Sequence, residues 1–99
     1  MTADINRITK MERYLEECRA AIDQLAVQLE KMDEVREPMR ELFRYYGSEE
    51  WYADREAELP VDMSAGVLSE DLVYDAVEDL RDVAFHMLEQ ATDILKERI

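Results

Sequence analysis

The stretch "ITKMERYLEECRAAIDQLAVQLEKM", residues Ile8–Met32, decides the fold class of this 99-residue chain. Its apolar residues recur at alternating intervals of three and four, which is the a/d pattern of an amphipathic α-helix, and charged residues occupy the other faces. The pattern predicts a long helix over about residues 3–36, with Thr2 as its N-cap. The a and d positions are Ile8, Met11, Leu15, Cys18, Ile22, Leu25, Leu29 and Met32.

Proline, glycine and serine punctuate the segment that follows this seam. A proline costs about 3 kcal/mol inside a helix but little in a first turn. We therefore predict a break just before Pro38 and a short helix over about residues 38–46, which Gly47 ends in the C′ position. Ser48 suits the N-cap of a further short helix over about residues 48–58.

The stretch "GVLSEDLVYD", from Gly66 to Asp75, has the features of a helix start. Ser69 suits the N-cap, Glu70 and Asp71 are favoured in the first turn by the helix dipole, and Leu68 before the cap can pack on Val73. We predict a last helix over about residues 69–98. Its apolar stripe is wider than a strict a/d seam, which indicates more than one neighbouring element.

These elements predict an all-α protein. Two long antiparallel helices, about 3–36 and 69–98, would carry the short helices, about 38–46 and 48–58, packed across them as a small helical bundle. Residues 1–99 would form one domain, and two such hairpins could also pair as a four-helix dimer. Only two glycines and two prolines interrupt the chain, which fits long helices.

Charge and composition limit the classes of partner. The chain has 25 acidic and 12 basic residues, a balance that argues against binding to nucleic acid or anionic lipid and permits a basic protein partner. No apolar run approaches the roughly 18 residues of a membrane span, so no membrane partner is expected. The charged N-terminus lacks a signal-peptide core, which indicates a cytoplasmic protein. Cys18 is the only cysteine, and its d position predicts a core thiol.

The negative charge is concentrated in one part of the chain. Ser48–Asp82 holds twelve acidic residues and two basic ones. Solubility and a basic partner explain this bias about equally well. One face of the last helix carries a row of polar groups that we interpret as a solvated face rather than a metal site, because it lies opposite the apolar stripe. The row is Asp75, Asp79, Asp82, His86, Glu89 and Asp93.

The sequence lacks the signatures of common enzymes. His86 is the only histidine, which excludes a multi-histidine zinc site, and its surface position is the simplest interpretation. Glu30-x-x-Asp33 fits half of the paired acidic motifs of helical nucleotide pyrophosphatases, a match that is common on an acidic helix. There is no P-loop, G-x-G-x-x-G or G-x-S-x-G motif. The sequence therefore leans against an enzyme and predicts no cofactor.

An aromatic cluster lies between the predicted short helices. It has two interpretations: a core plug between the short helices and the hairpin of long helices, which we favour, or an exposed anchor for a partner. Burial of Trp51 decides between them. The members are Phe43, Tyr45, Tyr46, Trp51 and Tyr52.

Three stretches carry a resemblance to a known family. "RITKME", "YYGSEEWYAD" and "LPVDMSAGVLSEDLVYD" resemble a family of small bacterial proteins known only as a domain of unknown function. The resemblance covers nearly the whole chain and implies a helical, bacterial, cytoplasmic protein, with no catalytic residues to transfer. The positions that match its most specific motifs are Tyr46, Gly47, Trp51, Asp54, Gly66, Ser69, Glu70, Asp71, Tyr74 and Asp75.

Three functions follow as hypotheses. The first is a non-enzymatic protein-interaction module with an acidic surface, either for a protein partner or for self-association as a homodimer. The second is a divalent-metal-dependent enzyme or small-ligand binder that uses carboxylates at a Trp51–Asp54 and Glu70–Asp75 junction. The third is a purely structural oligomer. The candidate interaction or ligand residues are Tyr46, Trp51, Asp54, Glu70, Asp71, Tyr74 and Asp75.

Overall fold

Helix α1 runs without interruption from Ile5 to Tyr45 in the computed structural model, which describes residues 2–97. Its first turn is capped by Asp4, whose Oδ1 accepts a hydrogen bond from the backbone N–H of Arg7 at 3.0 Å. Aspartate is among the strongest N-cap residues because its carboxylate satisfies a free N–H at this distance along the chain. The predicted cap at Thr2 is therefore wrong by two residues.

The predicted break before Pro38 is also wrong, because Pro38 lies inside α1. The ring removes one backbone donor, so the carbonyl of Glu34 loses its helical partner. Pro38 is exposed, which leaves that side of the helix open to water. Good helix formers on both sides, and an i,i+3 ion pair between Glu37 and Arg40 at 3.0 Å, support the turn that contains the proline. The predicted helices over 3–36 and 38–46 are thus one helix.

The a/d seam of α1 is exposed over most of its length. From Ile5 to Lys31 every side chain is exposed, and Met32 is half-buried. The interpretation of Cys18 as a core thiol is wrong for the single chain, because its side chain is exposed with the rest of the seam. The apolar face that the periodicity identifies therefore consists of exposed side chains.

Gly47 ends α1 as predicted, with a backbone φ of 77° that L-residues with a side chain rarely adopt. Helix α2 follows at Glu49–Glu56. Its N-cap is Ser48, whose hydroxyl accepts a hydrogen bond from the N–H of Trp51 at 3.2 Å. The predicted helix over about 48–58 is confirmed, and it ends two residues earlier because Ala57 is extended.

A short 3₁₀ turn, Gly66–Leu68, leads into helix α3, Glu70–Lys96. The predicted cap is confirmed, since the Ser69 hydroxyl accepts a hydrogen bond from the N–H of Asp71 at 3.3 Å. A Cβ on Gly66 would lie 3.1 Å from Cδ1 of Leu72, so a larger residue would crowd this approach. The predicted helix end at Arg98 lies outside the described residues.

The described chain is all-α, which confirms the predicted fold class, and residues 2–97 contain no strand. It falls into two compact units that divide between Arg40 and Glu41. Trp51 and Val73 are the buried hydrophobic side chains among the described residues, and both belong to the second unit. The antiparallel pairing of the long helices and the single domain over 1–99 stay predictions.

None of the helices in residues 2–97 combines the length and the apolar character needed to cross a membrane.

Candidate functional site

Trp51 is the centre of the second unit. It projects from α2 and is 2% exposed, while Val73 of α3 is 4% exposed. The indole Nε1–H donates a hydrogen bond to the carbonyl of Val67 at 3.0 Å, which satisfies the one polar group of the ring. The rings of Tyr46 and Tyr52 contact it edge-on, with centroids 5.1 and 4.9 Å away. Trp51 is thus a core residue, as we favoured, and an exposed anchor at Trp51 is wrong. Packing of this core against a long-helix hairpin stays a prediction.

Arg55 covers the outer face of Trp51. Its guanidinium carbon lies 4.7 Å from the centroid of the indole, within the range of a cation–π contact. The same side chain bonds Glu70 through Nη1 and Oε1 at 3.0 Å. With side chains 35% and 68% exposed, this ion pair contributes about 0–1 kcal/mol. Its structural effect is to join α2 to the first turn of α3.

Tyr46 makes the second link to α3. Its hydroxyl donates a hydrogen bond to the backbone carbonyl of Glu70 at 2.8 Å, while its ring lies against Trp51. The structure therefore brings together three of the predicted site residues, Tyr46, Trp51 and Glu70. We call these three with Arg55 and Val67 the Trp51 junction.

Asp54 is used in a separate contact at the end of α1. The hydroxyl of Tyr45 donates a hydrogen bond to Oδ2 of Asp54 at 2.6 Å. This bond raises the pKa of Tyr45 from 10.0 to about 12; partial desolvation and the negative charges of Asp54 and Glu50 add to the shift. Ionisation of Tyr45 would put a phenolate against a carboxylate, so the contact is made only by the protonated phenol.

The Tyr45 contact predicts a pH dependence at the alkaline end. Because the folded pKa is above the ordinary value of 10.0, the contribution to stability is fully present below pH 10 and is lost as pH rises through about 12. Absorbance titration at 295 nm should show one tyrosine ionising near pH 12. That tyrosine should be absent from Tyr45→Phe and should titrate at lower pH in Asp54→Asn. Superimposable curves for wild type and Asp54→Asn would contradict the assignment.

The other predicted site residues do not join the Trp51 junction by side-chain hydrogen bonds. Asp71 contributes its backbone N–H to the Ser69 cap. Tyr74 and Asp75 are exposed on α3. Within residues 2–97 no three acidic, histidine or cysteine side chains form a group that could hold a metal ion. The carboxylates of Asp54 and Glu70 are instead engaged by Tyr45 and Arg55.

Two parts of the junction were missed by sequence reasoning. Arg55 lies four residues after Trp51, a spacing that places both side chains on one helix face. Its contact with the indole could therefore have been predicted from the sequence. The hydrogen bond to the carbonyl of Val67 could not have been predicted, because a backbone acceptor can bond any residue that the fold brings to it.

A shallow, open depression lies beside the junction, where α1 ends and α2 begins. Three carboxylates and one guanidinium line it, so it adds to the negative character of this surface. Its lining residues are Glu41, Arg44, Tyr45, Ser48, Glu49 and Glu50.

Comparison with known protein families gives a match to this chain. Residues 8–90 match the family described as Domain of unknown function (DUF4298). The chain belongs to this family. The DUF4298 match spans the α1 seam, the Trp51 junction and most of α3, which confirms the resemblance expected from the sequence. No similar protein is found among curated proteins. The family description assigns no activity, so a function has to be argued from the geometry.

Proposed function

We propose that this DUF4298 protein is a non-enzymatic protein-interaction module. The observation that carries the proposal is the acidic surface, by which we mean the acidic side chains of Ser48–Asp82. Eleven of these twelve residues are exposed and Glu78 is half-buried. Within the described residues, ion pairs engage Glu70 with Arg55 and Glu78 with Arg81. Most of this negative charge is therefore open to a partner.

Helix α3 adds an apolar stripe to the acidic surface. Its N-terminal part is used by the unit itself, with Val73 buried and Val77 and Leu80 half-buried. The stripe then continues on the same face with exposed side chains for the rest of the helix. The exposed large members are Val83, Met87, Leu88, Ile94 and Leu95, from 43% to 85% exposed.

This combination defines the chemistry of the partner. An amphipathic helix with a free apolar face is suited to an apolar groove or to another helix. The acidic row Asp75, Asp79 and Asp82 lies on the opposite side of α3, so the partner would reach it with lysine and arginine residues on a segment that extends around the helix. We infer a basic protein partner that buries the stripe and neutralises part of the acidic surface.

Isosteric removal of charge tests this proposal. The test variant combines Asp75→Asn, Asp79→Asn and Asp82→Asn. The matched control combines Glu16→Gln, Asp23→Asn and Glu30→Gln, which changes the net charge equally on exposed positions of α1. At about 0.5 kcal/mol for each exposed ion pair, the test variant should bind its partner roughly tenfold more weakly. The measurement is affinity capture from a lysate of the source cells, followed by titration with the purified captured protein.

Salt separates this proposal from non-specific capture. Binding should fall steeply between 50 and 500 mM salt, because the Debye length shortens to a few ångströms in that range. The control triple variant should bind like wild type, since its changed residues lie outside the acidic surface. A partner that binds both triple variants equally, or whose binding ignores salt, would overturn the acidic docking surface, and so would the capture of no partner.

A further inference from the structure

The a/d seam of α1 is an exposed apolar face. Its exposed fractions include 47% at Ile8, 50% at Leu15, 64% at Ile22 and 53% at Leu25. Isolated helices gain little stability in water from propensity alone, and most helical stability comes from packing of the apolar face. A seam that keeps a 3.5-residue period over four heptads suits a partner helix with the same period, because two such helices stay in contact by supercoiling.

We propose that α1 pairs with α1 of a second copy as a parallel, in-register, two-stranded coiled coil over about residues 7–33. The residues that flank the seam support this occupant. With Ile8 at position a, Arg7 is at g and Glu12 at the following e position. In a parallel pair each Arg7 faces the partner's Glu12, which gives two symmetric ion pairs. Tyr14 at g likewise faces the partner's Arg19, a cation–π contact.

In an antiparallel arrangement of the same two helices, the e and g residues beside the seam are less complementary in charge. It sets e positions against e positions and g against g. In the register that overlaps the whole seam, Ile8–Met32, Arg19 then faces the partner's Arg19. A shift of one heptad in one direction sets Glu12 against the partner's Asp33, and a shift in the other direction sets Glu12 against Arg19 but overlaps only Ile8–Leu25. Like charges at such close positions are destabilising. Two of the four a positions, Ile8 and Ile22, and one of the four d positions, Leu25, also carry the residue types that favour parallel two-stranded coiled coils.

Cys18 gives this proposal a direct test, because it lies at a d position of the seam. In the parallel, in-register dimer each Cys18 faces its symmetry mate, within reach of the 4.4–6.8 Å Cα separation of a disulfide. In the antiparallel registers Cys18 faces the partner's Ile22, Leu29 or Leu15. The two thiols are then offset by at least three residues along the axis, about 4.5 Å or more, in addition to the spacing of the helices.

The experiment oxidises the native full-length chain with diamide and follows the disulfide-linked dimer on a non-reducing gel. Each diamide accepts the two electrons and two protons that two thiols lose when the S–S bond forms. Linkage should be at least tenfold faster in native buffer than in 8 M urea. Sedimentation equilibrium of the reduced protein should give twice the 11.7 kDa chain mass.

Matched variants show which face is used. Leu15→Asp places a charge on the seam, whereas Val27→Asp places the same charge at f, the position farthest from it. The two side chains are about equally exposed in the single chain, 50% and 48%. Leu15→Asp should abolish both the dimer mass and rapid linkage, and Val27→Asp should leave them unchanged. Equal loss in both variants would mean that dimer formation does not depend on the seam.

A charge exchange tests the register. Arg7→Glu should weaken the dimer about fivefold or more, since it puts a second carboxylate opposite the partner's Glu12. Combining Arg7→Glu with Glu12→Arg restores opposite charges and should restore the dimer. A chain that sediments as a monomer would overturn the proposal. A dimer without rapid Cys18 linkage would overturn it as well, in favour of an antiparallel α1 pair or of the predicted pairing between α1 and α3.

Discussion

Replacement of Trp51 by alanine should unfold the second unit of the protein. Truncation of a buried tryptophan costs about 3–5 kcal/mol, from the lost apolar burial and from the cavity that remains. Small domains have total stabilities of about 5–15 kcal/mol, and this unit is at the low end of the size range. Trp51 and Val73 are the two buried hydrophobic side chains among the described residues, so the variant removes most of that core.

The unfolding should be seen in α2 and in the first turns of α3. Hydrogen exchange is the measurement of choice, because it reports Glu49–Glu56 and Glu70–Leu80 separately from the long helix α1. In Trp51→Ala the amides of both segments should exchange at rates close to those of an unfolded chain. Circular dichroism should show the loss of only part of the helical signal, since the α1 seam does not depend on Trp51.

Two control variants separate the contributions of this residue. Trp51→Phe keeps a large ring but leaves the carbonyl of Val67 without its donor, at a cost of about 1–3 kcal/mol. Tyr52→Ala removes a ring that also contacts Trp51 but is 56% exposed, so its effect should be smaller than that of Trp51→Ala. If Trp51→Ala lowered protection no more than Tyr52→Ala, the Trp51 junction would not be the core of this unit in solution.

Elements set by local chemistry were predictable from the sequence. Ser48 and Ser69 are N-caps because a hydroxyl can accept from an N–H two or three residues later, and that contact needs no knowledge of the fold. The end of α1 at Gly47 was predictable for a similar local reason, because only glycine adopts a positive φ without strain. The all-α class follows from the heptad pattern and the scarcity of helix breakers.

Features that depend on distant parts of the chain were harder to predict. The burial of Trp51 was expected, but its acceptor on Val67 depends on the path of a loop and on a 3₁₀ turn that left no pattern in the sequence. The environment of Cys18 was predicted wrongly because an a/d position states that a face is apolar, not which molecule covers it. The seven predicted site residues divide in the same way. Tyr46, Trp51 and Glu70 meet, Asp54 bonds Tyr45 instead, and Asp71, Tyr74 and Asp75 are exposed.

Pro38→Ala should make α1 more stable, and by more than any other single exposed substitution in that helix. Proline is about 3 kcal/mol less favourable than alanine in a helix interior, because it lacks the N–H and its ring crowds the preceding turn. Pro38 is exposed, so alanine removes no buried contact. It also restores the hydrogen bond to the carbonyl of Glu34. The amides of Arg36–Leu42 should therefore exchange up to about 100-fold more slowly.

Glu34→Ala is the matched control, because it introduces alanine at a nearby exposed position where the wild-type residue is already a good helix former. It should change exchange in Arg36–Leu42 only slightly. The comparison also tests the continuity of α1. A chain broken at Pro38 in solution would gain new protected amides around the substitution, whereas the continuous helix gains slower exchange at amides that are already protected. Unchanged exchange in Pro38→Ala would show that the proline imposes no cost on this helix.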